Sequence, residues 1–180
     1  MKNTTFAVRP AGKEDWGTIA DVIWKTWIDA YSSFIPADDL RSYHAAFYSP
    51  DALAKLYADP NVTSFVAESD GDIVGVMRTR LNIEEGRYYV SSLYVLPKFQ
   101  GSGIGRALMR IAADQAAEFG KDRVWLGVMV KNIPAVEWYT AMGFRIAETA
   151  PFKMGNTTVD HYIGYLAIED VKARTKPPTD

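Results

Sequence analysis

The run Leu93–Arg106, LYVLPKFQGSGIGR, constrains this chain most, because it joins a strand to a helix through a glycine-rich turn. Leu93, Tyr94, Val95 and Leu96 form a short apolar segment of β-prone residues, which Pro97 ends. Gln100, Gly101, Ser102, Gly103, Ile104 and Gly105 follow. A helical pattern comes next, with Ile104, Leu108, Ile111 and Gln115 on one side and Ala107, Ala112 and Ala116 beside it. Glycines leave backbone N–H groups uncovered, and a starting helix adds unpaired donors and the positive end of its dipole. Such a turn cradles phosphate oxygens and points to a nucleotide-like, phosphate-bearing ligand. A dinucleotide-binding turn needs a third glycine where Arg106 stands, and a P-loop needs Gly-Lys-Ser or Gly-Lys-Thr, which the chain lacks. An ordinary tight turn between strand and helix would use the same residues.

A second block, VWLGVMVKNIPAVEWYTAMGF, spans residues 124–144. Its first half is a β-rich apolar run, as expected of a buried strand. Asn132 is a good helix N-cap and Pro134 suits a first helical turn. Ala135, Val136, Tyr139 and Met142 recur at helical spacing, and Gly143 is placed to close the helix in a left-handed conformation. The order is strand, cap, short helix, glycine stop, strand.

Together the blocks resemble the GNAT superfamily of N-acetyltransferases. Gln100-x-x-Gly103-x-Gly105 is similar to the family's Q/R-x-x-G-x-G/A pattern. Asn132, Ala135, Tyr139, Gly143 and Phe144 fill every position of its N-x-x-A-x-x-x-Y-x-x-x-G-F pattern. The resemblance covers residues 60–168, with a weaker echo in the first sixty. It implies acetyl-CoA as co-substrate, with Gln100, Gly101, Ser102, Gly103, Gly105 and Arg106 around the pyrophosphate. It also implies that the strand carrying Leu93 and Val95 splays from its neighbour and offers backbone groups to the pantetheine arm. Asn132 would hydrogen-bond the pantetheine region, although a plain cap explains it equally well. Tyr139 would be the general acid for the departing thiolate, and a neutral phenol suits that step. Without the motif, Tyr139 reads as a core aromatic on an amphipathic helix.

Composition narrows the rest. At 180 residues, 48% apolar and 23% charged, the chain suits one soluble domain with a sizeable core. Net charge is −2 with both signs mixed along the chain, which gives no nucleic-acid stripe. With no cysteine, disulfides, thiolate catalysis and cysteine–metal sites are excluded, and no metal is expected. The first residues lack an apolar signal core and no segment is long enough to cross a membrane, so a cytoplasmic address is the expectation.

Phe6–Pro10 reads as a first strand. Asp15 is expected to cap a helix whose apolar stripe runs through Trp16, Ile19, Ile23, Trp27 and Tyr31. Two further helices follow, one with Asp38 and Asp39 in its first turn and one starting at Ser49-Pro50-Asp51. Thr63–Ser69 and Ile73–Leu81 read as strands joined by a hairpin turn at Asp70-Gly71. Arg87–Val95 and Thr158–Ile168 are further strands. The assembly expected is α+β: a mixed, largely antiparallel central sheet of about seven strands with helices on both faces, as in GNAT proteins. One domain over 1–168 and a polar, loose tail over 169–180 complete the expectation.

The acceptor side is less legible. TWIDAYSSFIPADDL, residues 26–40, resembles the T-W-x-x-A-Y-x-x-x-x-P segment of members that acetylate small amines, polyamines among them. That implies an aromatic wall of Trp27, Tyr31 and Phe34, with Asp38 and Asp39 attracting a cationic acceptor. Equally, Trp27 and Tyr31 lie on the apolar stripe, and aspartates suit a helix N-terminus. A base must also deprotonate the amine, which is mostly protonated near neutrality. Many members carry a glutamate just before the L-Y-V segment, where this chain has Ser91 and Ser92. Glu84, Glu85, His44, His161 or a chain of waters are the candidates. The function expected is direct acetyl transfer from acetyl-CoA to a small primary amine in a ternary complex. The alternatives are a non-catalytic acyl-CoA-binding or regulatory domain, a protein or peptide N-acetyltransferase, and a nucleotide-binding module. The resemblance allows a homodimer, and no residue pattern decides it.

Overall fold

The computed structural model describes residues 5–175. The chain starts with strand β1 (Ala7–Pro10) and helices α1 (Trp16–Tyr31), α2 (Ala37–Tyr48) and α3 (Pro50–Tyr57). Strands β2 (Val62–Ser69), β3 (Asp72–Asn82) and β4 (Arg87–Val95) follow, then α4 (Ile104–Glu118) and β5 (Arg123–Met129). The last elements are α5 (Ile133–Ala141), β6 (Arg145–Met154), β7 (Thr157–Ala167) and α6 (Ile168–Arg174).

The strands form one sheet in the order β1-β2-β3-β4-β5-β7-β6. Every pairing is antiparallel except β4 with β5. The β2–β3 turn has positive φ at both Asp70 (53°) and Gly71 (86°), the requirement of a tight hairpin that follows the strand twist. One face of the sheet buries Val74, Met77, Val90, Leu126 and Leu166 against α4, α5 and α6. The other buries Val66, Val76 and Met129 under α1, α2 and α3. The expected α+β class, with helices on both faces, is what the chain adopts.

Helix α4 sits close to the sheet because alanines line its inner face. Ala112, Ala113 and Ala116 are fully buried, together with Leu108 and Met109. Burying each of those two larger side chains stabilises by about 1.5–3 kcal/mol. The inner stripe therefore runs through Met109 and Ala113, with Ile111 and Gln115 half-buried at its margin. At the helix start, a Cβ on Gly75 would lie 2.9 Å from Ile104 Cγ2, so β3 needs glycine there.

Two local expectations are corrected. Asp15 precedes α1 but makes no side-chain cap. Its carboxylate accepts from Arg9 Nη1 and Nη2 (2.7 and 2.9 Å) and from the Gly12 N–H (2.8 Å). It thereby ties the helix entry to β1, and the Arg9 hydrogen bonds hold its pKa below the usual carboxylate value. Residues 169–174, expected within a loose tail, belong to α6, with Val171 fully buried. Lys172 pairs with Asp114 of α4 at 2.7 Å and fixes that short helix from outside. The remainder of that tail, 176–180, lies outside the described residues. No described helix is long and apolar enough to cross a membrane.

Candidate active site

The centre of the sheet is a fork. Parallel strands β4 and β5 share one register pair, Tyr89 with Trp125. Beyond it β5 continues against β7 alone, and β4 against β3 alone. A bulge at Ser91 marks the divergence: Ser92 pairs with Arg78 and Val90 with Thr79, leaving Ser91 as the extra residue. Leu96 donates its N–H to the Val74 carbonyl on β3 (2.9 Å). Strand alternation therefore turns the backbone groups of Val95 and Leu93 to the open side. The Val95 carbonyl on that side accepts from Gln100 Nε2 at 3.1 Å. Gln100 thus ties the glycine loop back to the strand it leaves.

The loop has the conformation its glycines permit. Gly101 and Gly103 have φ of 78° and 96°, where a side chain would be strained. Among the described residues, the N–H groups of Gly101, Gly103, Ile104, Gly105 and Arg106 have no protein acceptor, whereas Gln100 and Ala107 donate to Pro97 and Gly103. The Ser102 hydroxyl is turned inward to the Phe99 carbonyl at 2.6 Å. Five unpaired donors at a helix N-terminus, with the exposed Arg106 side chain in the same turn, fit a diphosphate.

The second block closes the same fork from the opposite strand. Asn132 caps α5 by accepting from the Ala135 N–H at 3.4 Å. Its side chain also lies against the Tyr31 hydroxyl, so one residue serves cap and cleft. Across the opening, Trp138 packs on α4 so tightly that a Cβ on Gly105 would sit 3.1 Å from its Cζ2. Tyr139, 8% exposed, stacks edge-on to Trp138 (4.9 Å) and near Phe144 (6.0 Å). Burial, and then the neighbouring Tyr31 hydroxyl, raise the Tyr139 pKa, which keeps the phenol protonated. Burial likewise pushes Tyr31 up to about 12 and raises Tyr94 well above the ordinary tyrosine value. Tyr31, Tyr94 and Tyr139 meet here from α1, β4 and α5, as a group of neutral hydroxyls behind the fork.

The sequence profile of the Acetyltransferase (GNAT) family matches residues 23–144. The chain belongs to the GNAT acetyltransferase family. It is 32% identical over 149 residues to an uncharacterised N-acetyltransferase of Mycobacterium tuberculosis, covering 83% of this chain and 95% of the relative. In fold it is similar to PaiA N-acetyltransferase from Thermoplasma acidophilum in complex with coenzyme A. That match has a TM-score of 0.76 at 17% identity and covers 91% of this chain and 99% of the other. It is also similar to spermidine N-acetyltransferase from Vibrio cholerae in complex with CoA and spermine. There the TM-score is 0.68 at 21% identity, over 92% of this chain and 97% of the other.

On the acceptor side of this acetyltransferase, the residues singled out from sequence scatter. Trp27 is 2% exposed and belongs to the core, so it does not wall an open site. Its Nε1 lies beside the Tyr94 hydroxyl without a hydrogen bond of good geometry. Tyr31 is buried and contributes its hydroxyl. Phe34 is half-buried, with Lys131 Nζ 6.0 Å from its ring centroid. Asp39 is occupied: it accepts from the Asn156 N–H (2.8 Å) and the Thr157 hydroxyl (2.6 Å), pinning the β6–β7 turn to α2. Those bonds lower its pKa.

Most candidate bases are also accounted for. Glu85 sits in the β3–β4 turn and takes hydrogen bonds from Asn82, Arg87 and Tyr89. Glu84 shares that turn, and Ser91 lies six residues along the chain from Glu85, roughly 20 Å at strand rise. His44 Nε2 donates to the Ala20 carbonyl (2.8 Å) while its ring stacks on Tyr48, pinning α2 to α1. Ser92 Oγ is buried without a partner. It borders a cavity of about 10 Å³ shared with Ser64, Tyr57 and Arg78, room for about one water.

Sequence reasoning missed a wider feature. A groove of about 360 Å³ opens between α2, α3 and β3, lined by Phe47, Lys55, Leu56, Asp59, Arg78 and Arg80. Alternation of Arg78 and Arg80 along β3 was its only trace in the sequence.

Proposed function

We propose that this acetyltransferase moves an acetyl group from acetyl-CoA to a small primary amine by direct attack in a ternary complex. The fork carries the proposal, because unpaired strand donors and a row of free loop N–H groups lie along it. The loop Gln100–Arg106 holds the pyrophosphate, and Leu93 and Val95 bond the pantetheine arm together with Asn132. A strand N–H on the open edge polarises the thioester carbonyl and stabilises the tetrahedral oxyanion. Tyr139 donates its hydroxyl hydrogen to the leaving sulfur. A buried tyrosinate is a stronger base than an alkyl thiolate, whose ordinary thiol pKa is about 8.5. Hydrogen-bond donation is therefore the larger part of that role.

The fold likeness to a spermidine acetyltransferase and the Thr26–Pro36 segment support the polyamine class of acceptor. A specific observation favours a second reading within small amines. The open groove carries Lys55, Arg78 and Arg80 against Asp59 alone, and Asp39 is committed to the β6–β7 turn. That field repels a polycation and suits an amine that also bears a carboxylate or phosphate. A thiol-release assay over an amine library, with products identified by mass spectrometry, tests both. Acetylated amine with stoichiometric CoA is the expected result, and Arg78→Glu should weaken anionic amines and spare spermidine. Tight calorimetric binding of acetyl-CoA without acetylated amine from any member would instead establish a non-catalytic acyl-CoA-binding domain.

A further inference from the structure

We propose that His161 is the general base of acetyl transfer, its Nε2 taking a proton from the acceptor amine directly or through one water at the fork. The inference rests on the direct-transfer reading above.

His161 lies on β7, opposite Met129 of β5 and Ala150 of β6. Its Nδ1 is 2.8 Å from the Ala150 carbonyl oxygen. A carbonyl can only accept, so Nδ1 carries the hydrogen, and Nε2 is left as an unprotonated acceptor in the neutral ring. Phe152 holds the ring from one side, edge-on with centroids 5.4 Å apart. On the other side the ring leans over Gly127. A Cβ there would lie 2.9 Å from Cδ2 and 3.4 Å from Nε2 of His161. The absent side chain gives the imidazole edge its place.

That place is the fork. Gly127 is two residues past Trp125, the β5 residue that pairs with β4, so it stands roughly 7 Å beyond the last shared rung. It is exposed, and alternation puts it on the sheet face of Met129, which packs beneath α1 and α2. Ser91 and Ser92, the serines found where a carboxylate was expected, follow the matching point on β4. The base is thus supplied from across the fork, by β7 in place of β4. Of the other side chains considered, Glu85 is committed to the hairpin turn that Glu84 shares, and His44 to Ala20.

The titratable groups nearest by register are Asp160 and Tyr162 on either side in β7, Glu148, opposite Ile163 two residues along β7, and Lys131, two residues past Met129; Tyr43 of α2 lies behind Phe152 at 5.8 Å. Among the described residues, no carboxylate forms an ion pair with His161. In the step assigned, Nε2 accepts one proton from the ammonium form of the acceptor and passes it to solvent. The freed amine nitrogen forms the N–C bond, and the C–S bond breaks with its electron pair on sulfur. The second proton lost from nitrogen goes to that sulfur, while Tyr139 donates a hydrogen bond to it.

The test begins with the resting protein. Heteronuclear NMR of labelled histidine nitrogens, without acetyl-CoA, should show His161 as the Nδ1–H tautomer; an Nε2–H tautomer overturns the proposal. Next, wild type, His161→Gln and His161→Ala are compared with acetyl-CoA and whichever library amine wild type turns over fastest. Both variants should bind acetyl-CoA like wild type and lose about 10²–10⁴-fold in turnover. The acid limb of the pH–rate profile should go with them, and free imidazole should restore part of the His161→Ala rate. A weakly basic amine, already neutral at the assay pH, should show a much smaller defect. If wild type acetylates amines while His161→Gln keeps its rate and acid limb, His161 is not the base and the transfer reading stands. If wild type acetylates none, the transfer reading itself fails.

Discussion

Replacing Tyr139 by phenylalanine removes one oxygen and leaves the ring where it is. The ring contacts to Trp138 at 4.9 Å and Phe144 at 6.0 Å are retained, and Tyr139 itself is only 8% exposed. The fold should therefore survive, and the melting temperature should stay within a few degrees. What is lost is a donor to a sulfur that becomes negative as the intermediate collapses. A hydrogen bond to a charged partner contributes about 1.5–3 kcal/mol. At 1.36 kcal/mol per decade of rate, that predicts a fall in kcat of about ten- to 150-fold. If Tyr139 also carries the whole proton transfer, the loss extends toward the upper range for acid catalysis, about 10⁴-fold. Acetyl-CoA affinity should be nearly unchanged, because the donor acts where charge develops and not on the ground-state thioester. Steady-state thiol release at saturating acetyl-CoA and amine gives kcat, and calorimetry gives the affinity. A kcat within twofold of wild type refutes the role. A loss of affinity matching the loss of rate would recast Tyr139 as a binding residue.

Two further outcomes follow from the geometry. Gly103→Ala forces a side chain to adopt φ 96°, at a cost of about 1–2 kcal/mol, and should weaken acetyl-CoA binding about tenfold by calorimetry while leaving kcat nearly intact. Asp39 has a folded-state pKa below its ordinary value, so its contribution is fully present above that ordinary value and is lost as pH falls through the lowered one. Asp39→Asn should lower the urea midpoint at about pH 7 and narrow the difference from wild type at about pH 3.

The parts of this chain that could be read in advance are those whose cause is local. Asp70-Gly71, Gly101, Gly103 and Gly143 adopt positive φ, and each announces its turn whatever surrounds it. The Asn132 cap and the alanines of α4 are local in the same sense. What could not be read depends on partners distant in the chain. Trp27 and Tyr31 look the same in sequence whether a stripe faces core or cleft; α2 and α3 decide in favour of the core. Residues 169–174 look like a tail because a single buried side chain and a distant partner, Asp114, hold them. His161 is one of two histidines in the chain, and its orientation is set by Ala150, Phe152 and the bare Cα of Gly127. None of these adjoins it in sequence.

The single rung shared by Tyr89 and Trp125 has a mechanical meaning. Arg87 lies 3.8 Å over the Trp125 ring, and Tyr165 is 5.2 Å away on its far side, so an aromatic rivet joins two half-sheets at one end. Beyond the rivet, the backbone bonds that elsewhere make a sheet one cooperative body are missing. A co-substrate seated in that gap takes the place of a missing strand and couples the halves. Its binding energy then adds to the stability of the whole, by about 2.7 kcal/mol at a hundred times its dissociation constant. The melting temperature should then rise with the concentration of acetyl-CoA.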